Sequence, residues 1–468
     1  MFLLILLHVY FVSFLDKPEK SAPALSERAV AQRQKWNIPT DVMDYPVAKS
    51  YVDSLRRAGA KVYHTSRWMN GATVEMTPKL AEKAAGWSFV TAVEMTRDDS
   101  PNLYAPRKKM PKAEEGWLTS EMTTDAQLET YNLKKLHAEG YEGQGILMTV
   151  CDGAFANANT LGCFRKDQEL GHFDLTDDQT DFYGWTGAHG TACLSAISGI
   201  REDYRGAATQ AKYYLMRSEE EDHESPKEID NLVVALETAD SLGVNVFSVS
   251  LGYAYFDNDQ WTLPKSALDG QSTRASRAAT IAARKGMLVC VAAGNEGNND
   301  WHTIAVPADA DSVLTVGAVS VNGDIASFSS FGPAADGRVK PDVCAVGWGA
   351  ALLNTQGEVY YSNGTSFATP LLAGLAATLW SALPDENAMQ IRERIINSAD
   401  RYYNPDKDQY GYGIPDAWKA YTMKKETDVE SVESGTWKAE SRKELRNGRI
   451  VIIRDQKEYD VLGNPRSN

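Results

Sequence analysis

Four short stretches of the chain each carry a side chain that could take part in acyl transfer. They are Asp152-Gly153, His189-Gly190-Thr191, Ala292-Ala293-Gly294-Asn295 and Gly364-Thr365-Ser366. A serine nucleophile needs a base to take its proton, an acid to orient the base and an amide donor to stabilise the oxyanion. Together the four stretches supply that inventory, so they predict nucleophilic catalysis by a serine.

Each stretch taken alone also has an ordinary structural explanation. Asp152-Gly153 and Asn295-Glu296-Gly297 are common turn sequences. His189 could cap a helix, and Ser366 could be an N-cap, a role that is compatible with being a nucleophile. No second histidine, cysteine or acid stands at ligand spacing from His189, so the sequence does not predict a metal there.

The elements that would position these residues are buried strands alternating with helices. Continuous apolar runs of strand length are typical of parallel strands that are buried on both faces. They lie at about residues 146–150, 211–216, 244–249, 287–292 and 313–319. Strands that alternate with helices predict an α/β fold with a doubly wound, mainly parallel sheet, whose ligands bind beyond the carboxyl ends of the strands.

Helix signals lie between these runs. Ser225 reads as an N-cap, with Pro226 at the first helical position and Glu228 completing a capping box, and Gly243 ends that helix. A second helix is expected at about 273–285 and a third from Ser366 through residue 383.

The segment 17–116 predicts a small, separate α+β domain followed by a linker. Its expected order is helix 48–59, strands 61–64 and 72–76, a helix opening at Thr77-Pro78 and a strand at 88–93, an order that fits a split βαβ sandwich. The basic run at Arg107-Lys108-Lys109 is expected to be an exposed linker.

Residues 2–15 form an uncharged apolar run that ends before Asp16. Its length suits an export signal over residues 1–16 and is short for a membrane span, so no integral membrane domain is expected. No Lys or Arg precedes the run and no small-residue cleavage site follows it. A buried N-terminal segment is therefore the alternative to export.

Composition excludes some partners. The formal net charge is −15 and the isoelectric point about 5.1, which argues against nucleic acid and anionic membranes as ligands.

The five cysteines cannot all pair and lack metal-ligand spacing. Cys163, in a loop-like stretch, is the one expected to be reactive.

The tail 423–468 holds two short strand-like segments at 449–453 and 458–461, a β-hairpin too small to fold alone.

The ordered blocks resemble the signatures of the subtilisin-like serine peptidases. Besides the four stretches above, the resemblance rests on these blocks: Ser250-Leu251-Gly252, residues 315–319, 328–333 and 340–343, and Phe367-Ala368-Thr369-Pro370 after the serine. The order Asp, His, Ser also matches that of subtilisin. The resemblance covers about residues 117–422. Its departures, such as Phe367 in place of the usual Met, resemble secreted subtilases of Bacteroidetes-type bacteria.

The resemblance implies a role for each catalytic residue. Ser366 would attack the scissile carbonyl, His189 would carry the proton to the leaving amine, Asp152 would orient His189, and Asn295 would stabilise the oxyanion. The family's propeptide would correspond to residues 17–116 and act as an inhibitor in the zymogen.

The resemblance also implies where a peptide would bind. Ser250, Leu251 and Gly252 would pair with the substrate backbone, and the facing wall and the floor of the P1 pocket would be formed by Ala292, Ala293, Gly294 and Ala305. A small uncharged floor predicts an apolar or aromatic P1 residue. No cofactor is required. Structural calcium is possible in the family, but its sites cannot be matched here, and an acidic surface loop accounts for Asp174, Asp177, Asp178 and Asp181.

The sequence therefore predicts an exported serine endopeptidase made as a zymogen, with domains at 1–16, 17–116, 117–422 and 423–468. Its substrates would be proteins or peptides. Two alternatives remain: a catalytically inactive module of the same fold that binds peptides, and an esterase or transpeptidase that uses the same acyl-enzyme.

Overall fold

The structure is a computed structural model, and it describes residues 6–18, 21–99, 123–176, 181–184, 187–220 and 223–423, with the strand segments 441–446, 449–454 and 457–459. The basic run Arg107-Lys108-Lys109 and the acids Asp177 and Asp178 lie outside the described residues. Residues 1–422 form one compact unit and residues 423–468 another.

The N-terminal domain is a four-stranded antiparallel sheet with three helices. The strands are β1 (His8–Phe14), β2 (Lys61–Ser66), β3 (Gly71–Met76) and β4 (Val90–Asp98), in the spatial order β2-β3-β1-β4. The helices are α1 (Glu27–Lys35), α2 (Lys49–Arg57) and α3 (Pro78–Ala85). Thr77 caps α3 through its side chain, with proline at the first helical position. The predicted small α+β domain is confirmed.

The interpretation of residues 1–16 as an export signal is corrected for residues 8–14. They form β1, which pairs with β3 on one side and β4 on the other. Val9 and Val12 have no exposed surface, and Tyr10 and Phe14 are also buried. The run is apolar because it is a central strand covered on both faces, and this burial is the alternative that the sequence analysis kept open. The N-terminal domain accordingly starts before residue 17.

The large domain, residues 123–422, is built on a seven-stranded sheet in which every pair is parallel. The strand order is β13-β12-β11-β10-β5-β9-β6. These strands are β5 (Leu147–Asp152), β6 (Glu169–Asp174), β9 (Lys212–Arg217), β10 (Val246–Val249), β11 (Leu288–Ala292), β12 (Leu314–Val319) and β13 (Val343–Val346). The hairpins β7 (Ile200–Arg201) with β8 (Tyr204–Arg205), and β14 (Ala350–Leu353) with β15 (Val359–Ser362), lie outside the sheet. The predicted doubly wound α/β fold is confirmed.

Helices cover both faces of this sheet. They are α4 (Thr124–Glu129), α5 (Leu133–Ala138), α6 (His189–Ser198), α7 (Pro226–Leu242), α8 (Arg274–Arg284), α9 (Thr365–Ala382), α10 (Ala388–Ser398) and α11 (Ala417–Thr422). Because side chains alternate along a strand, Met148 and Val150 of β5 pack in the core with α6 and α9, while Leu147 and Cys151 pack with α7 and α8. Two cores therefore hold the carboxyl edge of the sheet in place.

Two details of the large domain differ from expectation. The side chain of Ser225 makes no cap hydrogen bond, and the Glu228 carboxylate accepts instead from the backbone of Glu220 at 2.6 Å. The capping-box prediction was therefore wrong, although α7 begins where expected. The edge strand β6 was not predicted, because its half-buried, polar sequence lacks the apolar run of its neighbours.

The N-terminal domain packs on α7 and α8 through buried polar contacts. The carboxylate of Glu237, on α7, accepts from the hydroxyl of Ser66 at 2.5 Å and from the backbone N–H groups of Arg67 and Trp68 at 3.0 Å each. Asp240, one turn later, pairs with Arg33 and Arg67 at 2.7 Å. Burial raises the pKa of Glu237, and Arg67 partly opposes the shift.

The C-terminal unit contains a three-stranded antiparallel sheet. Its strands are β16 (Ser441–Arg446), β17 (Arg449–Arg454) and β18 (Lys457–Tyr459). The expected hairpin corresponds to β17 and β18, and β16 adds a strand that the sequence analysis did not assign. Within the described ranges, no helix has both the length and the apolarity needed to cross a bilayer.

Substitutions at the adjacent residues Phe14 and Leu15 would distinguish a buried strand from an export signal. Phe14 is 4% exposed and packs against the rings of Tyr51 and Phe89, whereas Leu15 is 62% exposed. We expect Phe14→Ala to lower the free energy of unfolding of the N-terminal domain by about 3–5 kcal/mol, because it leaves a cavity. Leu15→Ala should stay within about 0.5 kcal/mol of the parent. Urea unfolding of the full chain measures both, and equal shifts would contradict the strand assignment.

Candidate active site

The site is built at the carboxyl edge of the parallel sheet. On one side of β5 the sheet continues with β9 and β6, and on the other side with β10, β11, β12 and β13. The strand order therefore reverses between β5 and β10. In doubly wound sheets this reversal opens a crevice beyond the strand ends. Asp152 is the last residue of β5, and Ser250 follows β10 directly.

Asp152 and His189 form a close pair at this edge. Asp152 has no exposed surface, and its two carboxylate oxygens lie 2.8 and 2.9 Å from Nδ1 of His189. The backbone N–H of Gly153 donates to the same carboxylate at 2.8 Å. Because a carboxylate accepts, the imidazole proton resides on Nδ1 and the lone pair on Nε2. Nε2 is buried and makes no hydrogen bond to the described residues.

Gly190 explains how α6 can begin beside Asp152. A Cβ built on Gly190 would lie 2.4 Å from the carbonyl oxygen of Ala154 and 3.0 Å from Cβ of Asp152. Any larger residue would push the first turn of α6 away from β5. The pairing of His and Gly in the sequence is therefore a packing requirement of the Asp152–His189 contact.

Ser366 lies in the first turn of α9, and both its hydroxyl and its carbonyl contact Ser250. Its Oγ donates to the carbonyl oxygen of Ser250 at 3.3 Å, and the hydroxyl of Ser250 donates to the carbonyl oxygen of Ser366 at 2.7 Å. The hydroxyl of Ser366 thus faces the end of β10 in this structure. The adjacent ring of Phe367 lies 5.4 Å from the ring of His189, which places His189 beside the start of α9.

Pro370 leaves the carbonyl of Ser366 without its usual helical partner. A proline at position i+4 has no N–H to donate to that oxygen. The hydroxyl of Ser250 takes this place, and the thiol of Cys193 donates to the same oxygen at 3.3 Å. Three elements, β10, α6 and α9, therefore meet at one carbonyl group.

Sequence reasoning missed the contacts that Cys193 makes at the site. Cys193 Sγ lies 3.9 Å from Nδ1 of His189, as the spacing of four residues on one helix face would have indicated. Cys163 is buried rather than exposed, and burial raises the pKa of its thiol, which opposes reactivity. The expectation that Cys163 is the reactive cysteine is not supported.

Asn295 is oriented by Thr365, the first residue of α9. Its Oδ1 accepts from both the backbone N–H and the hydroxyl of Thr365, each at 2.9 Å. The hydroxyl of Thr365 also accepts from the backbone N–H of Gly294 at 3.2 Å. These contacts turn the carbonyl half of the Asn295 amide toward α9 and fix the orientation of the side chain.

The residues expected to line a peptide-binding cleft converge. Tyr253 and Val306 form an antiparallel bridge with hydrogen bonds of 2.9 and 3.0 Å, which carries Ser250, Leu251 and Gly252 alongside Ala305. A Cβ on Gly252 would lie 3.1 Å from that of Ala305.

The backbone N–H of Ala305 donates to the carbonyl of Ala293 at 3.2 Å, which links this strand to Ala292 and Gly294. Ala293 and Ala305 have no exposed surface.

Two groups of described residues bring three potential metal ligands together. The first group is Asp152, His189 and Cys193, and the second is Glu219, Glu224 and Glu228. Within each group the potential ligand atoms lie within 4.8 Å of one another. The contacts above account for the first group as a hydrogen-bonded set. The second lies just beyond β9.

The chain is similar in sequence to two proteases of Bacillus subtilis. Serine protease AprX of Bacillus subtilis strain 168 is 29% identical over 308 residues, which are 59% of this chain and 66% of that protein. Subtilisin NAT of Bacillus subtilis subsp. natto is 26% identical over 365 residues, 77% of this chain and 83% of its own.

Among solved structures, MycP1 from the ESX-1 type VII secretion system superposes with a TM-score of 0.53 at 21% identity, covering 69% of this chain and 94% of that one. At that identity the likeness shows the fold alone.

Two family models match separate parts of the chain. The model of the Bacteroidota propeptide domain of S8 peptidases matches residues 9–114, from β1 through the N-terminal domain. The model of the subtilase family matches residues 119–413, which include the parallel sheet and all four candidate catalytic residues. A match over that much of the chain, together with the site at the sheet edge, means that this protein belongs to the subtilase family and carries its propeptide domain.

Proposed function

We propose that this protein is a serine endopeptidase made as a zymogen, with Ser366 as nucleophile, His189 as general base and acid, Asp152 as the group that orients His189, and Asn295 as an oxyanion donor. The observation that carries the proposal is the buried Asp152–His189 pair beside the first turn of α9. The alternative of an inactive binding module has no use for an imidazole that a fully buried carboxylate holds beside that helix.

The tautomer of His189 determines the path that the proton takes in the proposed reaction. Asp152 accepts from Nδ1, so Nε2 is the basic nitrogen. When Ser366 attacks, Nε2 takes the hydroxyl proton, and Asp152 stabilises the resulting imidazolium. Nε2 then gives the proton to the leaving amine, which departs from the acyl-enzyme. A water molecule then attacks the acyl-enzyme and gives its proton to Nε2 of His189. Nε2 returns a proton to the oxygen of Ser366 as the ester bond breaks, and the acid product is released.

Substrate binding would switch the hydroxyl of Ser366 between two acceptors. Before substrate binds, this hydroxyl donates to the carbonyl of Ser250. A peptide that pairs with Ser250–Gly252 as an added strand donates its own N–H to that carbonyl. The competition releases the hydroxyl of Ser366 to turn to Nε2 of His189. The carbonyl of Ser366 stays fixed by Ser250 and Cys193 while its side chain rotates.

The oxyanion would form at the N-terminus of α9. The helix presents backbone N–H groups and the positive end of its dipole there. The Asn295 amide adds a side-chain donor whose direction Thr365 sets. All the groups that the reaction requires are side chains and backbone amides, so the proposed mechanism uses no cofactor.

The substrates would be peptides or proteins with an apolar P1 residue. The P1 pocket would be bordered by the small residues Ala293, Gly294 and Ala305, which would bring no charge to it. The propeptide domain would hold the enzyme inactive until the linker is cut.

Export stays a prediction. The export prediction was based on an apolar run, and the strand β1 accounts for most of that run. The zymogen form still favours export, because it would delay activity until the chain reaches its destination. Fractionation of the producing cells would test where the mature protein resides.

Replacing the nucleophile should abolish self-processing without unfolding the chain. We expect Ser366→Ala to lower peptide hydrolysis on the order of 10⁶-fold, to the level left by binding and oxyanion stabilisation. The exposed Ser272→Ala is the matched control and should keep full activity. Mass spectrometry of the full chain and of a mixed peptide library after incubation reports cleavage, and urea unfolding checks the fold. Processing that persists in purified Ser366→Ala would contradict the proposed nucleophile.

Two substitutions of Asn295 separate an oxyanion donor from a structural role. Asn295→Ala should lower kcat by about 10²–10³-fold with little change in KM, because the donor acts in the transition state. Asn295→Asp keeps an oxygen for the two Thr365 bonds but removes the amide donor, so its kcat should fall as far. Steady-state kinetics on one peptide measures both. Near-normal kcat in Asn295→Asp would show that holding Thr365 is the only role of this side chain.

A further inference from the structure

The N-terminal domain also contacts the edge of the parallel sheet that lies opposite the candidate active site. Its helix α1 contacts Gly145, Asn245 and Gly286, which lead into β5, β10 and β11 at the amino edge of the sheet. Asp152 ends β5 at the opposite, carboxyl edge. At about 3.3 Å per residue, the length of β5 separates the two edges by about 20 Å.

One face of α1 donates hydrogen bonds to carbonyl groups that follow three helices of the large domain. The donors Arg28, Gln32 and Lys35 share this face because they are four and three residues apart. Cations and amide donors suit this place, because carbonyl groups at the C-termini of helices lack partners within the helix. The acceptors, in the same order, are Gly243 after α7 at 3.0 Å, Gly286 after α8 at 3.3 Å and Pro384 after α9 at 2.6 Å.

The start of α1 packs directly on the backbone at the end of α7. The backbone N–H of Ser26 donates to the carbonyl oxygen of Ser241 at 2.8 Å, and Ala29 is buried. Gly243 ends α7 with a φ of 76°, and a Cβ built on it would lie 2.7 Å from the backbone nitrogen of Ala29. This close approach therefore depends on a glycine at position 243.

Two buried ion pairs cross the same interface in opposite directions. Arg33 of α1 donates to both carboxylate oxygens of Asp240, on α7, at 2.8 and 2.7 Å. Asp44 of the N-terminal domain accepts from Nζ of Lys285, at the end of α8, at 2.8 Å. Arg33 also donates to Asp44 at 2.6 Å, which joins the two pairs into one chain. The four side chains are at most 5% exposed, and each domain contributes one cation and one anion.

Loss of one cation from this chain of charges would favour separation of the domains. Burial alone would raise the pKa of Asp44, but hydrogen bonds from Lys285, the backbone of Asp41 and Arg33 outweigh it and lower that pKa. The carboxyl group of Asp44 is therefore ionised at neutral pH and needs its cations while it stays buried. Separation returns the carboxylate to water, so a missing cation weakens the contact between the domains.

We propose that the amino-edge contact, formed by α1 and residues 41–44 with the ends of α7, α8 and α9, holds the cleaved N-terminal domain on the large domain. Cutting of the chain and release of the domain are then separate steps. A cut between the two domains leaves all of these contacts intact, so cutting is necessary for activity and release completes it. The inference rests on the proposed peptidase function and assigns the timing of activity to residues remote from the site.

The test follows three quantities while the purified full chain processes itself. Mass spectrometry reports cutting, size-exclusion chromatography reports separation of the products, and hydrolysis of a fluorogenic peptide reports activity. In the parent, the two products should elute together at first, and activity should lag behind cutting. Lys285→Met should leave the rate of cutting unchanged and shorten the lag at least tenfold, because Asp44 loses a buried partner.

Two further substitutions of lysine separate this effect from a general loss of stability. The exposed Lys166→Met, in the loop before β6, makes the same change of side chain away from the contact and should keep the lag of the parent. Lys285→Arg keeps a cation at the contact and should restore most of the lag. After release is complete, all three variants should hydrolyse the peptide at the rate of the parent, which shows that the large domain is folded.

A variant of the N-terminal domain tests the contact from its other side. Arg28→Met removes the donor to Gly243 and Asn245 but leaves the buried ion pairs in place, so the lag should shorten about threefold or more. Because residue 28 departs with the cleaved domain, the released enzyme is chemically identical to the parent. The matched Arg56→Met, exposed on α2, should leave the lag unchanged.

The outcomes distinguish a failure of the contact from a failure of the peptidase. Cutting no faster than in Ser366→Ala would refute the peptidase function, and with it any role of the contact in activation. Serine-dependent cutting whose products separate at once would overturn the contact as the retaining element and leave the peptidase function standing. A lag that neither Lys285→Met nor Arg28→Met shortens would do the same.

Discussion

The arrangement of the site depends on one fully buried carboxylate. A charge with no exposed surface is tolerated only where hydrogen bonds and a counter-group replace the lost water. Asp152 obtains them from the backbone of Gly153 and from the imidazole of His189. That requirement brings the start of α6 against the end of β5, and it explains why a glycine follows His189, since a side chain at Gly190 would separate the two elements.

A second constraint acts on the helix that carries the serine. A helical carbonyl that loses its i+4 donor must find another partner if it stays buried. Pro370 creates that need at Ser366, and the hydroxyl of Ser250 and the thiol of Cys193 meet it. The proline thus couples Ser366, the proposed nucleophile, to β10 and α6 by hydrogen bonds that do not use its hydroxyl. The side chain of Ser366 remains able to rotate on a fixed backbone, as the proposed mechanism requires.

Much of this could be predicted from the sequence because it depends on local rules. Asp152 and Asn295 follow apolar runs, and parallel strands bring their carboxyl ends together, so the acid, the base, the donor and the serine were expected at one edge. What was missed depends on tertiary contacts. An apolar run of signal length and a central strand such as β1 have the same composition. Glu228 could serve a capping box or the backbone of Glu220, and only the fold decides between them. The thiol of Cys193 has a partner that is remote in sequence.

The interface between the propeptide and the large domain is rich in buried charge, which affects how the two can separate. Glu237 and Asp240 of α7 and Glu220 beyond β9 are each satisfied by groups of the N-terminal domain. Buried ion pairs add little net stability because desolvation offsets their attraction, but removing one partner while the other stays buried is costly. Such an interface favours the matched domain over other partners. Once the propeptide leaves, water can solvate the carboxylates on α7, at the surface of the large domain.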